Sequence, residues 1–232
     1  MLCFSKSKME TEKLKEFVSP EGIFELNKFC QQERRTFFEV IESFPSSIPP
    51  LEYIIEKIPP IKPRFFTISS SSLKSPKAEI TAAIVDYKTP YKRMKVGVCS
   101  DYLQNLQRGD KVHALVTKGS FVKPKNFLGT PLIGIGPGTG LAPLKAMAEE
   151  RYFSREKFEK MALFLGHRYR NKDYLYGKNY WPQYKRVFEH FSVAFSRESG
   201  LKKHYVTHDL KTNSKLIWNL INGGALVFIS GF

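Results

Sequence analysis

The sequence predicts an α+β, barrel-like part with a helical insert, followed by a doubly wound α/β domain built on a parallel sheet. Two observations predict this. Up to about residue 128, helical periods and then β-rich runs come in blocks, whereas beyond it strand-like and helix-like runs alternate. The length, 232 residues, suffices for one large domain or two small ones with real cores.

In the first block, TEKLKEFV, GIFELNKFC, RTFFEVIESF and LEYIIEKI read as helical pieces over about residues 10–60, broken by Ser19-Pro20 and by the Ser46–Pro50 stretch. From Arg64 the runs FFTIS, AEITAAIVDY and KVHALVTKG read as strands, with a short helix at GVCSDYLQNLQ. After PKNFLGTP come strand PLIGIG, helix LAPLKAMAEERY, strand MALFLG, helix DYLYGKNYWPQYKRVFEHF, strand SVAFS, helix SKLIWNLI and strand ALVFISG. We therefore place one domain at 1–128, its incomplete barrel at about 62–127, and the second at 129–232.

Lys and Arg number 37 against 22 Asp and Glu, a net charge of +15 that attracts nucleic acid, anionic lipid, phosphate-rich cofactors or an acidic protein. The cations are spread along the chain and no nucleic-acid-binding motif accompanies them, so no nucleic-acid partner is expected. Hydrophobic residues at 42% and charged residues at 25% fit a packed chain rather than a disordered one. No apolar run nears the roughly 20 residues of a membrane span, and the start lacks the apolar core of a signal peptide. Cys3, Cys30 and Cys99 have no metal-ligand or paired spacing. The expected setting is the cytoplasm, without a membrane partner.

The most informative segment is PLIGIGPGTGLAP, where a strand turns through Gly136, Pro137, Gly138, Thr139 and Gly140 into a helix whose unpaired N–H groups suit a diphosphate. It is neither GxGxxG nor a P-loop, and a generic glycine turn would use the same residues. The next strand ends in Gly166, His167, Arg168, Tyr169 and Arg170, where an NAD site would carry an acid. The third ends in Ser196 and Arg197, with Lys203, His204, Tyr205, Val206 and Thr207 following. Cations and hydroxyls at that edge suit a 2′-phosphate, hence NADP, although they would also serve simply to solvate strand ends. Arg64, Phe65, Phe66 and Thr67 put a cation, an aromatic face and a hydroxyl side by side, as an isoalloxazine nucleotide requires. Gly97, Val98, Cys99 and Ser100 open a helix and offer a second set of backbone donors. His204 and His208 have the spacing of a helical metal pair but lie where a strand-to-loop passage is expected, with no acid or Cys partner near, so no metal is expected.

Taken in order, RFFTISSSS, GVCSDYL, GPGTGLAP, GHR with DYLY, AFSRE with KKHYVTHDL, and GGALVFISG resemble the C-terminal module of the NADPH-dependent diflavin reductases, relatives of ferredoxin-NADP reductase, over nearly the whole chain. EKLKEFVSPEGIFELNKFCQQERRTFFEVIESF followed by PPIKPRFF looks closer to the branch that reduces iron–sulfur proteins than to cytochrome P450 reductase. The resemblance implies FAD held by Arg35, by Arg64 to Thr67 and by Gly97 to Ser100, with Thr67 near the reactive N5. It implies NADPH held by Thr139 at the diphosphate or nicotinamide and by Ser196, Arg197, Lys203 and Tyr205 at the 2′-phosphate, with Arg168 close. Ser230 stands where relatives carry a Cys near the nicotinamide, and with Thr67 it is the implied catalytic pair. The implied activity is hydride transfer from NADPH to FAD, then electron transfer through FMN, in a domain this chain lacks, to an anamorsin-like iron–sulfur protein for cytosolic cluster assembly.

Phe66 replaces a Tyr common in relatives, His167 a Cys and Thr207 a Gln. Barrel strands expected before the insert and a helix expected after Ser230 are missing, so a fragment, splice form or partial gene model is expected. The alternative is a catalytically incomplete form acting as an interaction module.

Overall fold

The computed structural model describes residues 1–231 apart from 120, 122, 199 and 201. It divides into two units, Met1–Arg64 with Ile84–Asp110, and Phe65–Ala83 with Lys111–Phe232. Among the described residues no helix is long and apolar enough to cross a membrane.

The first unit holds α1 (Lys8–Val18), α2 (Ile23–Asn27), α3 (Phe37–Glu42) and α4 (Leu51–Lys57), then the hairpin of β1 (Asp86–Lys88) and β2 (Met94–Val96), then α5 (Val98–Asn105). The four helical pieces fall where the periodicity puts them. Leu14, Phe17 and Phe44 form the core, with Leu26 and Phe29 against it. Buried Glu33 accepts from the Thr89 hydroxyl at 2.6 Å and the Tyr91 N–H at 2.9 Å, which ties the hairpin turn to the helices. Thr36 and Glu39 form a capping box at the start of α3. Glu39 also pairs with Arg93, and with Lys95 at 2.5 Å.

The second unit contains β3 (Leu132–Pro137), α6 (Leu141–Phe153), β4 (Met161–His167), α7 (Gly177–Tyr180), β5 (Phe188–Phe195), α8 (Val206–Thr212), α9 (Ser214–Asn222) and β6 (Leu226–Ile229). Its four strands are all parallel, in the order β5-β4-β3-β6. Alternating side chains face opposite layers: Leu132, Leu163 and Leu165 pack with Leu141, Leu144 and Met147 of α6, while Ile133, Ala162 and Phe164 pack with Val206 and, beyond it, Leu210, Ile217 and Leu220. Burial on both faces explains why these strands read as continuous apolar runs. The expected doubly wound domain is therefore present.

The segment 65–83 is fastened to α6 by a buried charge cluster. Lys145 and Glu149, one helical turn apart and 1% and 0% exposed, pair at 2.8 Å. Lys145 also donates to the Ser69 carbonyl at 3.0 Å and to Glu79 at 2.8 Å. Glu149 accepts from the Ser71 N–H at 2.8 Å, from Lys74 at 2.7 Å and from the Tyr180 hydroxyl. Burial alone would raise the Glu149 pKa, but these donors outweigh it and hold the carboxyl below its ordinary range.

Three expectations need correction. FFTIS, AEITAAIVDY and KVHALVTKG do not form barrel strands among the described residues; FFTIS and AEITAAIVDY share one bridge, Ile68 with Ile80, and only Asp86 and Tyr87 of the latter enter β1. A strand needs a neighbour to satisfy its backbone, and these runs are largely exposed, with Leu115 at 93% and Val116 at 86%. The helix expected over 173–191 shrinks to α7 and a 3-10 turn over Trp181–Val187, and FEHF belongs to β5. Tyr176 (φ 63°) and Gly177 (φ 49°) are left-handed, and Pro182 lacks an N–H, so a continuous helix cannot form there. The segment after Lys203, expected as a loop, forms α8.

Contacts with Lys95 and the Thr36 N–H, opposed by burial and helped by the Arg93 charge, lower the Glu39 pKa from 4.5 to about 2. A carboxyl lowered on folding stabilises the native state above its unfolded pKa, and the contribution is lost as pH falls. The urea midpoint of the first unit is expected to drop between pH 4.5 and about 2, and Glu39→Gln should flatten that part of the profile.

Candidate functional site

Spatial order in the sheet reverses between β3 and β6, since the chain steps outward from β3 to β4 and β5 and then returns to β3's other side. Ligands of open parallel sheets bind at the carboxyl ends of the strands at such a switch point. The glycine-rich turn Gly138–Gly140, with Thr139 at its centre, leaves β3 there and opens α6. Ser230 lies at the end of β6, its N–H bonded to the Ile135 carbonyl at 2.9 Å. Thr139 and Ser230 thus flank the switch point.

Two glycines make the turn possible for different reasons. Gly138 has φ +57°, and a Cβ there would meet nothing within 4 Å, so its surroundings are open. Gly140 has an ordinary φ of −60°, but a Cβ would lie 2.0 Å from the Ser230 carbonyl oxygen. No side chain caps α6, but its Leu141 N–H turns back to the Gly138 and Thr139 carbonyls and Pro143 has no N–H, so an anion there would rely on the amides of the glycine turn itself.

The second cluster sits at the ends of β4 and β5. The Ser196 N–H bonds the His167 carbonyl at 3.0 Å and the Arg197 N–H bonds the Arg168 carbonyl at 2.8 Å, so Arg168, Ser196 and Arg197 are neighbours by register. Arg168, Arg197 and Lys203 are exposed, and among the described residues none has a carboxylate within ion-pair distance. Tyr205 precedes α8, with its N–H on His208 Nδ1 at 3.0 Å, and stacks on the His208 ring at 5.9 Å. His204 pairs with Asp209 at 2.5 Å, which supplies the acid the sequence reading held to be missing. Thr207 is exposed, whereas Val206 is buried against Gly166 and can only shape the site. His167 is buried with Nε2 unpartnered; burial lowers its pKa, opposed by Asp173, so the ring is neutral.

The residues expected to hold FAD fall in both units, and each group is described by itself. In the first, Arg35 lies 4.1 Å over the Phe29 ring and hydrogen-bonds Ser43, and Arg64 donates to the Lys62 carbonyl. Gly97 precedes α5, whose first-turn amides at Val98, Cys99 and Ser100 have no side-chain cap. The Ser100 hydroxyl is already engaged, accepting from the Val85 N–H at 3.1 Å and donating to the Gly97 carbonyl at 3.0 Å. In the second unit Phe65 is 82% and Phe66 37% exposed, and Thr67 is also exposed.

These donors fit the two nucleotides chemically. Cations with hydroxyls suit a 2′-phosphate, an uncapped glycine turn suits a diphosphate, and exposed aromatic faces suit a flavin. A cavity of about 410 Å³ lined by Tyr174, Trp181, Phe188 and Phe191 runs beside β5 and shares none of these residues. Asp173 and Glu198, which bond the backbone around the cations, were not singled out in the sequence, where an acid a few residues beyond a strand end was the available signal; His208, weighed only as a metal ligand, instead receives the Tyr205 N–H.

Residues 1–102 match the family described as FAD binding domain, and residues 135–231 the family described as oxidoreductase NAD-binding domain. The chain is similar to an NADPH-dependent diflavin oxidoreductase 1 of Arabidopsis thaliana, 38% identical over 100% of this chain and 38% of the relative. It is 37% identical to the Mus musculus protein of that name, over 100% of the chain and 39% of the relative. An NADPH--cytochrome P450 reductase of Drosophila melanogaster is 35% identical over 94% of the chain and 33% of the relative. The chain thus spans 33% to 39% of the length of these curated relatives.

Replacing Gly140 by Ala pushes a methyl into the Ser230 backbone. We expect Gly140→Ala to cost about 1–3 kcal/mol in a urea melt, whereas Gly138→Ala, which meets no atoms, should cost about 1–2 kcal/mol through φ alone.

Proposed function

Because the chain belongs to the diflavin reductase family, we propose that it is the FAD- and NADPH-binding module of a cytoplasmic NADPH-dependent diflavin oxidoreductase. The observation that carries this reading is the switch-point turn with three exposed cations at the neighbouring strand ends. When bound, NADPH supplies a hydride and FAD accepts it and releases electrons singly.

The chain's residues position and neutralise. Amides of the Gly138–Gly140 turn, with Thr139, receive the NADPH diphosphate. Arg168, Arg197 and Lys203, with the hydroxyls of Ser196 and Tyr205, hold the 2′-phosphate, and a cation there selects NADP over NAD. His204, Val206 and Thr207 complete that wall, Val206 by packing. For the flavin, the candidates in the first unit are Arg35, Arg64 and the amides of Gly97 to Ser100, which suit the diphosphate; those in the second unit, taken by themselves, are Phe65 and Phe66, which present aromatic faces, and Thr67, which offers a hydroxyl suited to N5. Ser230 brings a hydroxyl to the nicotinamide end. In this reading His167, neutral at neutral pH, adds no charge to the site.

We also assign partners: the FMN domain of a full-length diflavin reductase, and through it an anamorsin-like iron–sulfur protein in cluster assembly. The net charge of +15 supports docking of an acidic partner. The stretch around Leu115 and Val116, exposed and without a strand partner among the described residues, favours a second reading, an interaction module without turnover.

One anaerobic experiment separates the two. Purified chain supplied with FAD and then freed of unbound flavin should keep flavin absorption bands that bleach on adding NADPH, and transfer onward to an isolated FMN domain should slow as salt rises. A chain that is colourless once unbound FAD is removed would sustain only the second reading, and transfer insensitive to salt would remove the electrostatic docking.

A further inference from the structure

The turn that follows β4 contains three consecutive backbone N–H groups, and each is received by a carboxylate. Asp173 Oδ2 accepts from the Arg168 N–H at 3.1 Å and its Oδ1 from the Tyr169 N–H at 2.6 Å. Glu198 Oε1 accepts from the Arg170 N–H at 2.5 Å. The Asp173 N–H returns to the Tyr169 carbonyl at 3.3 Å and closes the turn. Consecutive amides of this kind form a concavity that binds anions. Here the chain fills it with its own side chains.

Two consequences follow from that occupancy. The backbone from which Arg168 and Arg170 leave is pinned on one side by Asp173 and on the other by Glu198, beside the bond from the Arg197 N–H to the Arg168 carbonyl at 2.8 Å. Charge-assisted bonds from backbone N–H groups to carboxylates are the stronger class, so this pinning is firm. Arg170 is held further, its guanidinium 4.4 Å from the Phe195 ring centre. The amides themselves are no longer available to an incoming phosphate, which leaves its recognition to the side-chain cations.

We propose that Asp173 and Glu198 are positioning residues: by clamping the turn over 168–170 they hold Arg168 beside Arg197 and set the discrimination between 2′-phosphorylated and unphosphorylated nucleotide. This rests on the NADPH reading above. Neither carboxylate touches the nucleotide; both act through the backbone that carries the cations. The opposite effect is also physically possible, since two negative charges near a phosphate repel it. The clamp and the repulsion predict changes of opposite sign.

The test is calorimetric titration of the chain with 2′,5′-ADP and, separately, 5′-AMP, which needs no flavin and no turnover. For Asp173→Asn, which keeps the shape but sets an amide donor against one N–H, affinity for 2′,5′-ADP should fall about tenfold, with 5′-AMP changed by less than about twofold. Glu198→Ala, which frees one N–H only, should move the same ratio by a smaller factor, and it serves if Asp173→Asn does not fold. Equal losses for both ligands would make the clamp merely structural, and unchanged or tighter 2′,5′-ADP binding would overturn it. If the unaltered chain shows no preference for 2′,5′-ADP over 5′-AMP, the NADPH reading itself falls, and the clamp with it.

Discussion

The ion pair of Lys145 and Glu149 is the constraint on which the second unit depends. Two charges taken out of water cost several kcal/mol each unless their remaining hydrogen-bonding capacity is met. Here it is met: three acceptors surround the Lys145 ammonium, and Glu149 receives an ammonium from each of two lysines, a hydroxyl and a backbone N–H. Most of those partners come from the segment 65–83, so the cluster fixes that segment to α6. The same helix begins at the glycine turn that carries Thr139. One helix thus supports both the aromatic segment proposed for the flavin and the turn proposed for the dinucleotide.

How much of this was legible follows from what each pattern encodes. The parallel sheet was legible because strands buried on both faces read as apolar runs, and PLIGIG and MALFLG lie almost entirely within β3 and β4. The helix over 173–191 was misread because its aromatic spacing mimics a helical face and was allowed to outweigh the two breakers standing in it, Gly177 and Pro182. α8 was missed since its N-cap is Tyr205, not a serine, threonine, asparagine or aspartate, and the residue three further on that receives the Tyr205 N–H is His208 rather than a Glu or Gln. Lys145 and Glu149 stand at i, i+4, the spacing of an ordinary surface pair, and only the burial of α6 on nearly every side sets them apart.

The candidate site divides the same way. Residue type and strand-end position singled out Arg168, Ser196, Arg197, Lys203 and Tyr205 as candidates, because cations at a sheet's carboxyl edge have a chemical meaning. Residues that shape the backbone under them carried no such meaning. Asp173 and Glu198 became visible only as acceptors of particular N–H groups. The glycines also separate by cause: one supplies a left-handed turn, the other yields room to the end of β6.

The central claim is that the buried cluster fastens the segment 65–83 to the helix leaving the switch point. Native-state hydrogen exchange at the amides of Ser69 and Ser71 tests it most directly, comparing the unaltered chain with Glu149→Gln. The account predicts that both amides lose about tenfold or more of their protection while those of β4 keep theirs. Unchanged protection at Ser69 and Ser71, or an equal loss throughout β4, would contradict it.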